Sequence, residues 1–237
     1  MATTYAQIMR PASRPADPGG ASASAVFGRA AADLRSQCDQ LGTLRPELTF
    51  EDVPAPKTLA PYASAVAAAV EVDDAEIASG RLVLLYDPAG QPGWAGPLRI
   101  IAYIRAELDP EIAADPLIGQ VGWSWLTEAL EGRTPGYAEP SGTVTRVVTE
   151  GFGAKDGEPA ATEFELRASW SPTAADPEAA PDPTGGLAGI VERGDLAGHL
   201  AAWCETLCAA SGLPPLAAGV TALRPAAGRP AASRRRR

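Results

Sequence analysis

Apolar residues along the first half of the chain recur at helical spacing and then at strand spacing. Phe27, Ala30, Ala31, Leu34, Cys38 and Leu41 return every three or four positions, with Arg29, Arg35, Gln37 and Asp39 between them. That stripe predicts an amphipathic helix, with Ser24 suited to its N-cap and Gly42 to its stop. Four runs of strand character follow. Leu48 and Phe50 alternate with Glu47, Thr49 and Glu51. Val66, Ala68, Val70 and Val72 share one face of the second run, with small alanines opposite. Arg81–Tyr86 is the third, closed by Asp87-Pro88-Ala89-Gly90, and Leu98–Arg105 is the fourth. Short Gly- and Pro-containing links favour hairpins and an antiparallel sheet over parallel crossovers.

The next segment contains VGWSWLTEAL, residues 121–130. Asp115-Pro116 supplies an N-cap and first helical residue, and Gly132 sits where a C-terminal glycine belongs. On that helix Trp123 and Trp125 point about 200° apart, and the apolar arc spans about 240°. A helix lying on a sheet needs little more than about 100°. Trp125 is expected on the sheet and Trp123 at the edge of the arc, so a second covering surface is expected. The first or last helix could supply it, or a second copy of the chain, a client peptide or a small-molecule pocket. Trp123 and Leu130 are the candidate interface residues. Two further strands, Thr143–Phe152 and Thr162–Trp170, each alternate between two faces. A last helix from Asp195 carries Leu196, Leu200, Trp203, Cys204, Leu207 and Cys208 in a narrow stripe and stops at Gly212-Leu213-Pro214-Pro215. The order α-β-β-β-β-α-β-β-α predicts an α+β fold, an antiparallel sheet of about six strands packed with three helices.

Residues 1–21 hold three prolines and two adjacent glycines without periodicity and are expected to be disordered. Residues 22–223 form one expected domain, interrupted by a proline-rich, acidic linker at 171–194. Residues 224–237 form an arginine-rich tail. The net charge is −9, and without the six arginines of that tail the remainder carries −15. An acidic body repels nucleic acid and anionic membrane, leaving the tail, chiefly Arg234, Arg235, Arg236 and Arg237, as the one candidate anion-binding element. No apolar run reaches the length of a secretory signal or a membrane span. The three cysteines, Cys38, Cys204 and Cys208, do not form a disulfide framework. A cytoplasmic protein is expected. Abundant Ala, Arg, Pro and Gly beside two lysines suit a GC-rich bacterial genome.

Candidate chemistry is sparse. His199 is the one histidine, four residues from Trp203, and reads as packing more readily than as a general acid or base. Cys204 and Cys208 offer at most two ligands where structural zinc takes four, so no metal site and no cofactor are expected. Glu107, Asp109 and Glu111, and Asp73, Asp74 and Glu76, fall at strand ends and turns. Gly151-Phe152-Gly153-Ala154-Lys155 lacks phosphate-loop spacing. Ser22, Ser24, Ser124 and Ser141 have no nucleophile context. No catalytic residue is assigned.

The segments LRPELTFEDVPAPKTLAPYA (44–63), SGRLVLLYDPAG (79–90), GWSWLTEAL (122–130), SGTVTRVV (141–148), ELRASW (165–170) and AWCETLCAASGLPPL (202–216) resemble an actinobacterial family, domain of unknown function number 3000. The likeness spans about residues 23–223. It implies an actinobacterial cytoplasmic origin and supplies neither activity nor catalytic residues. In shape, the element order and acidic body look like the secretion-chaperone fold with one additional strand, an analogy of fold alone. The functional expectation is a non-catalytic protein-binding or chaperone-like module, with the chain itself as one candidate partner. A small-ligand protein or enzyme with a pocket between sheet and helices is the first alternative. A nucleic-acid accessory acting through the tail is the second.

Overall fold

Turn chemistry lays down the first four strands in sequence. In the computed structural model, which describes residues 20–157, 161–173 and 195–214, these are β1 (Leu48–Asp52), β2 (Tyr62–Val72), β3 (Ala75–Tyr86) and β4 (Leu98–Leu108), each antiparallel to its predecessor. The β2–β3 link is the two-residue turn Asp73-Asp74, with φ of 51° and 63°. Two left-handed residues suit the right-handed twist of the flanking strands, and Asp tolerates that conformation. The chain then leaves through a single turn, α2 (Pro110–Ala113), and α3 (Ile118–Arg133). It returns on the far edge as β5 (Tyr137–Thr149) and inserts β6 (Ala161–Pro172) between β5 and β4. The sheet order is β1-β2-β3-β4-β6-β5, with every pair antiparallel.

One face of the sheet carries the helices. α1 (Gly20–Leu44) lies over β1 and β2, α4 (Leu196–Ala210) over β3, β4 and β6, and α3 beside α4 and along β5. The layer α1-α4-α3 closes on inward-facing residues such as Leu82, Ile100, Ile104, Phe164, Leu166 and Trp170, all fully buried. Truncating a buried Phe or Trp of this kind to Ala costs about 3–5 kcal/mol. The expected α+β fold and element order hold, with α2 as an additional turn.

The element ends differ from the sequence reading for identifiable reasons. α1 runs through Gly42 to Leu44, and α3 through Gly132 to Arg133. Each is ended by a proline two residues beyond, Pro46 and Pro135, which pushes the residue before it out of the helical region. Thr134 is extended (φ −111°, ψ 151°), and its hydroxyl donates to the Leu130 carbonyl at 2.9 Å. At the start of α3, Asp115 caps one turn early, its carboxylate accepting the Leu117 N–H at 2.8 Å. α4 is buried beyond its expected stripe: His199, Ala202, Thr206 and Ala210 are also enclosed, because two helices flank it on the sheet. Trp203 Nε1 reaches down to the Tyr103 carbonyl at 3.4 Å. β6 extends to Pro172, so the expected linker begins later. Its remainder, most of the expected disordered N-terminal segment and the arginine tail lie outside the described residues.

Among the described residues, the opposite face is covered at one end only. Ala65, Val83 and Leu85 pack there with Val53, Ala55, Ala60, Trp94 and Ile101, beneath the segment after β1 and the β3–β4 loop. Toward the other end the face is charged. Arg105 pairs with Glu163, and Arg167 with Glu165 at 2.7 Å. Tyr103 donates to Glu165 at 3.1 Å beneath the Arg167 guanidinium.

Candidate functional site

The tryptophan helix finds its second cover within the chain. Gly122 lies against the Phe164 ring of β6, so close that a Cβ there would stand 2.4 Å from it. Trp125 meets the same ring at 5.8 Å between centroids. Trp123 packs instead over Gly142 of β5, where a Cβ would come within 2.6 Å of the indole and 2.5 Å of the Arg167 carbonyl. The two indoles thus occupy separate places, Trp125 on β6 and Trp123 on β5. Leu130 is fully buried and Trp123 partly buried. Leu130 is thus enclosed in the core, Trp123 is covered on one side by β5, and that strand becomes the surface of interest.

β5 is the outer strand, and the two sheet edges are unlike. β1 is five residues long and carries Glu51 and Asp52, a short, charged edge of the kind that discourages strand addition. β5 is thirteen residues long, and from Glu139 to Thr149 only Val144 is even partly buried. Its second half, Thr143–Thr149, is β-branched except for Arg146. Arg146 is directed away from the edge, donating to the carbonyls of Ala113 at 3.0 Å and Asp115 at 3.4 Å. That bond ties β5 to the α2–α3 joint. Eight large apolar side chains stand exposed among the described residues, and six belong to this corner: Ile112, Leu117, Val121, Val147, Val148 (55% exposed) and Phe152 (79%). Apolar exposure concentrated in one place marks an interaction surface, whereas scattered exposure carries no such meaning.

The other candidates are chemically quiet. Trp170 Nε1 donates to His199 Nδ1 at 3.1 Å, which fixes the neutral imidazole with its proton on Nε2. That Nε2 is buried without a partner, and burial pushes the pKa down to about 4. Cys38, Cys204 and Cys208 are free and buried. Burial, with Asp39 adding to it, pushes the Cys38 thiol up to about 12; burial raises Cys208 to about 11 and Cys204 well above its ordinary value. Protonated thiols are poor nucleophiles. Among the described residues no three His, Cys, Asp or Glu side chains gather as a metal site. Asp73 and Asp74 are turn residues, and Asp109 accepts the Glu111 N–H at 2.9 Å at the start of α2. Glu107 stands opposite Glu163 in the β4–β6 register. Gly153–Lys155 forms a 3-10 turn.

A cleft of about 320 Å³ opens between α3 and α4, lined by Arg45, Trp125, Glu128, Glu205, Cys208 and Leu213 among others. Neither His199 nor the acids of 107–111 line it, so the pair expected to serve a pocket is not brought together. Arg45, buried at its rim, donates to the Pro214 carbonyl at 2.6 Å and lies 3.9 Å from Glu47. The β5 edge was visible in the sequence only as two-faced alternation. The usable signal was the lack of lysine or acid across 141–149; the crossover that makes this strand an edge is not written in it.

No helix among the described residues is long and apolar enough to cross a membrane. No curated protein and no solved structure matches the chain, so the likeness to secretion chaperones rests on element order and an acidic body alone. The family described as "Protein of unknown function (DUF3000)" matches residues 23–221, with the β5 edge, both tryptophans of α3 and the whole sheet inside that span. The chain therefore belongs to the DUF3000 family.

Proposed function

We propose that this protein is a non-catalytic polypeptide-binding module that accepts an extended segment of a partner along β5. The observation that carries the reading is the open thirteen-residue edge flanked by six of the eight large apolar side chains exposed among the described residues. An extended peptide added to such an edge gains main-chain hydrogen bonds, and its alternate side chains meet the flanking apolar surface. Val148 lies on the helix-side face of β5 and Val147 on the other, so an added strand would have an exposed apolar side chain beside it on each face. The partner is a polypeptide with alternating apolar residues, and a second copy of this chain is one form it can take. The sealed histidine and protonated thiols support the non-catalytic half of the reading.

The test is selection of peptides from a random library on the immobilised full-length protein, followed by hydrogen exchange of the complexes. Selected peptides should slow exchange of the Thr143–Thr149 amides, and the double substitution Val147→Lys, Val148→Lys should abolish binding while leaving unfolding cooperative. In a self-association arm, sedimentation equilibrium should show a dimer that the same substitutions dissociate. Peptides that protect only the α3–α4 cleft, or binding indifferent to the lysines, would overturn the proposal.

A further inference from the structure

The most buried arginine of the open face has no carboxylate. Arg99, near the start of β4, is 8% exposed, whereas Arg105 and Arg167 on the same face are exposed and each paired with a glutamate. Among the described residues Arg99 makes no ion pair within 4.0 Å; its partners are neutral. Nη2 donates to Ser169 Oγ at 2.7 Å, the Ser169 carbonyl at 3.3 Å and Ser141 Oγ at 3.3 Å; Nη1 donates to Ser171 Oγ at 3.4 Å. Bonds from a cation to a good anionic acceptor run at about 2.7–2.9 Å. Three of these four are far longer, so the guanidinium is held but weakly satisfied. Burial lowers its pKa, and Glu139 works from a distance in the opposite sense.

A distortion in β5 completes the arrangement. Ala138 pairs with Ser171 and Ser141 with Ser169, so Glu139 and Pro140 together stand opposite Trp170 alone. This is a bulge, and it re-aims the side chains that follow. Without the extra residue Pro140 would face Ser169; with it, Ser141 does, on the side of Arg99. The bulge is held by Glu139 in the left-handed region at φ 51°, a conformation that costs a non-glycine residue roughly 1 kcal/mol or more. The Ser141 and Ser169 hydroxyl oxygens lie 3.3 Å apart, and Ser141 is exposed. One hydroxyl hydrogen of the pair is committed to the other oxygen, which leaves the second free to donate. A cation and a free hydroxyl hydrogen, met here by neutral acceptors alone, make a set of donors that lacks an anion.

We propose that Arg99, Ser141 and Ser169 form a binding site for a small oxyanion group, a phosphate or a carboxylate, entered from the Ser141 side. The group would accept from the guanidinium fork and from the serine hydroxyls, replacing the stretched bonds. The inference does not depend on strand docking at β5, and Val147→Lys, Val148→Lys leaves this site intact.

The test is to titrate the full-length protein with inorganic phosphate, with acetate and with sodium chloride at matched ionic strength, following the backbone amide resonances. Saturable shifts of Ser141, Ser169–Ser171 and Ala95, whose N–H donates to Ser171 Oγ at 3.1 Å, are expected with phosphate or acetate and not with chloride. The oxyanion that saturates at lower concentration identifies the source. Arg99→Lys keeps charge but loses the fork and should bind about tenfold more weakly or worse. If that variant does not fold, Ser141→Ala with Ser169→Ala, which retains Arg99, should show the same weakening. Shifts that follow ionic strength alike for all three salts, or that persist unchanged in a folded variant, overturn the proposal and leave Arg99 as a clamp between β4, β6 and β5.

Discussion

Acid should weaken this protein through His199 by an amount that can be worked out. The imidazole is enclosed, accepts the Trp170 indole N–H on Nδ1 and leaves Nε2 without a partner. Charging it would place the ring's second hydrogen on Nδ1, against the indole donor, inside the core. The folded pKa of about 4 lies below the ordinary 6.5, so between those values the unfolded chain binds a proton that the folded one refuses. Stability therefore rises with pH through that window and falls as pH drops below 6.5 toward 4. Linkage puts the loss at about 2 kcal/mol by pH 5 and about 3 kcal/mol by pH 4, a large share of the roughly 5–15 kcal/mol a domain possesses. Titrating carboxylates also act in this range, so the quantity to measure is a difference. His199→Asn keeps an acceptor for Trp170 and cannot titrate. Urea unfolding of both proteins at pH 7, 6, 5 and 4.5 should show the wild type losing about 2 kcal/mol relative to the variant between pH 7 and 5. A difference constant across the series, or a histidine resonance titrating near 6.5 in the folded protein, would refute the reasoning.

Two further outcomes follow from packing and burial. Gly142→Val should destabilise by about 2 kcal/mol and shift indole emission, because its Cβ meets both Trp123 and the Arg167 carbonyl; urea unfolding followed by tryptophan fluorescence reads both, and an unchanged midpoint would place Trp123 elsewhere. The three buried thiols should react with a water-soluble disulfide reagent only after unfolding; rapid labelling of any of them in the native protein contradicts the described burial.

The sequence exposed the sheet more fully than the site. Alternation along β6, with Phe164, Leu166, Ala168 and Trp170 on one side, is a local property, and period two survives whatever packs against it. The width of the apolar arc on α3 was also legible, and it did require two contacts. The identity of the second contact was not, since Gly142 can receive Trp123 only after β5 has crossed back beside the helix. His199 shows the same limit: its spacing put it at the border of a stripe, but α1 and α3 flank α4 and leave it no border. Arg99 sits in LRIIAYIR as an ordinary polar strand position. Its isolation from acids depends on which strands become its neighbours and on a bulge that no periodicity announces.

The placement of α4 decides when this chain can finish folding. The helix is the last described element in sequence, yet it fills the middle of its layer, over β3, β4 and β6. A nascent chain on the ribosome that has not yet delivered residues 196–210 has six strands available and a bare stripe down the centre of the sheet, with Trp170 lacking its imidazole partner. Such intermediates expose apolar surface and unpaired strand backbone to their neighbours. Completion of the core therefore waits for the far end of the domain. Truncation ahead of α4 should yield an aggregating fragment and no smaller working unit.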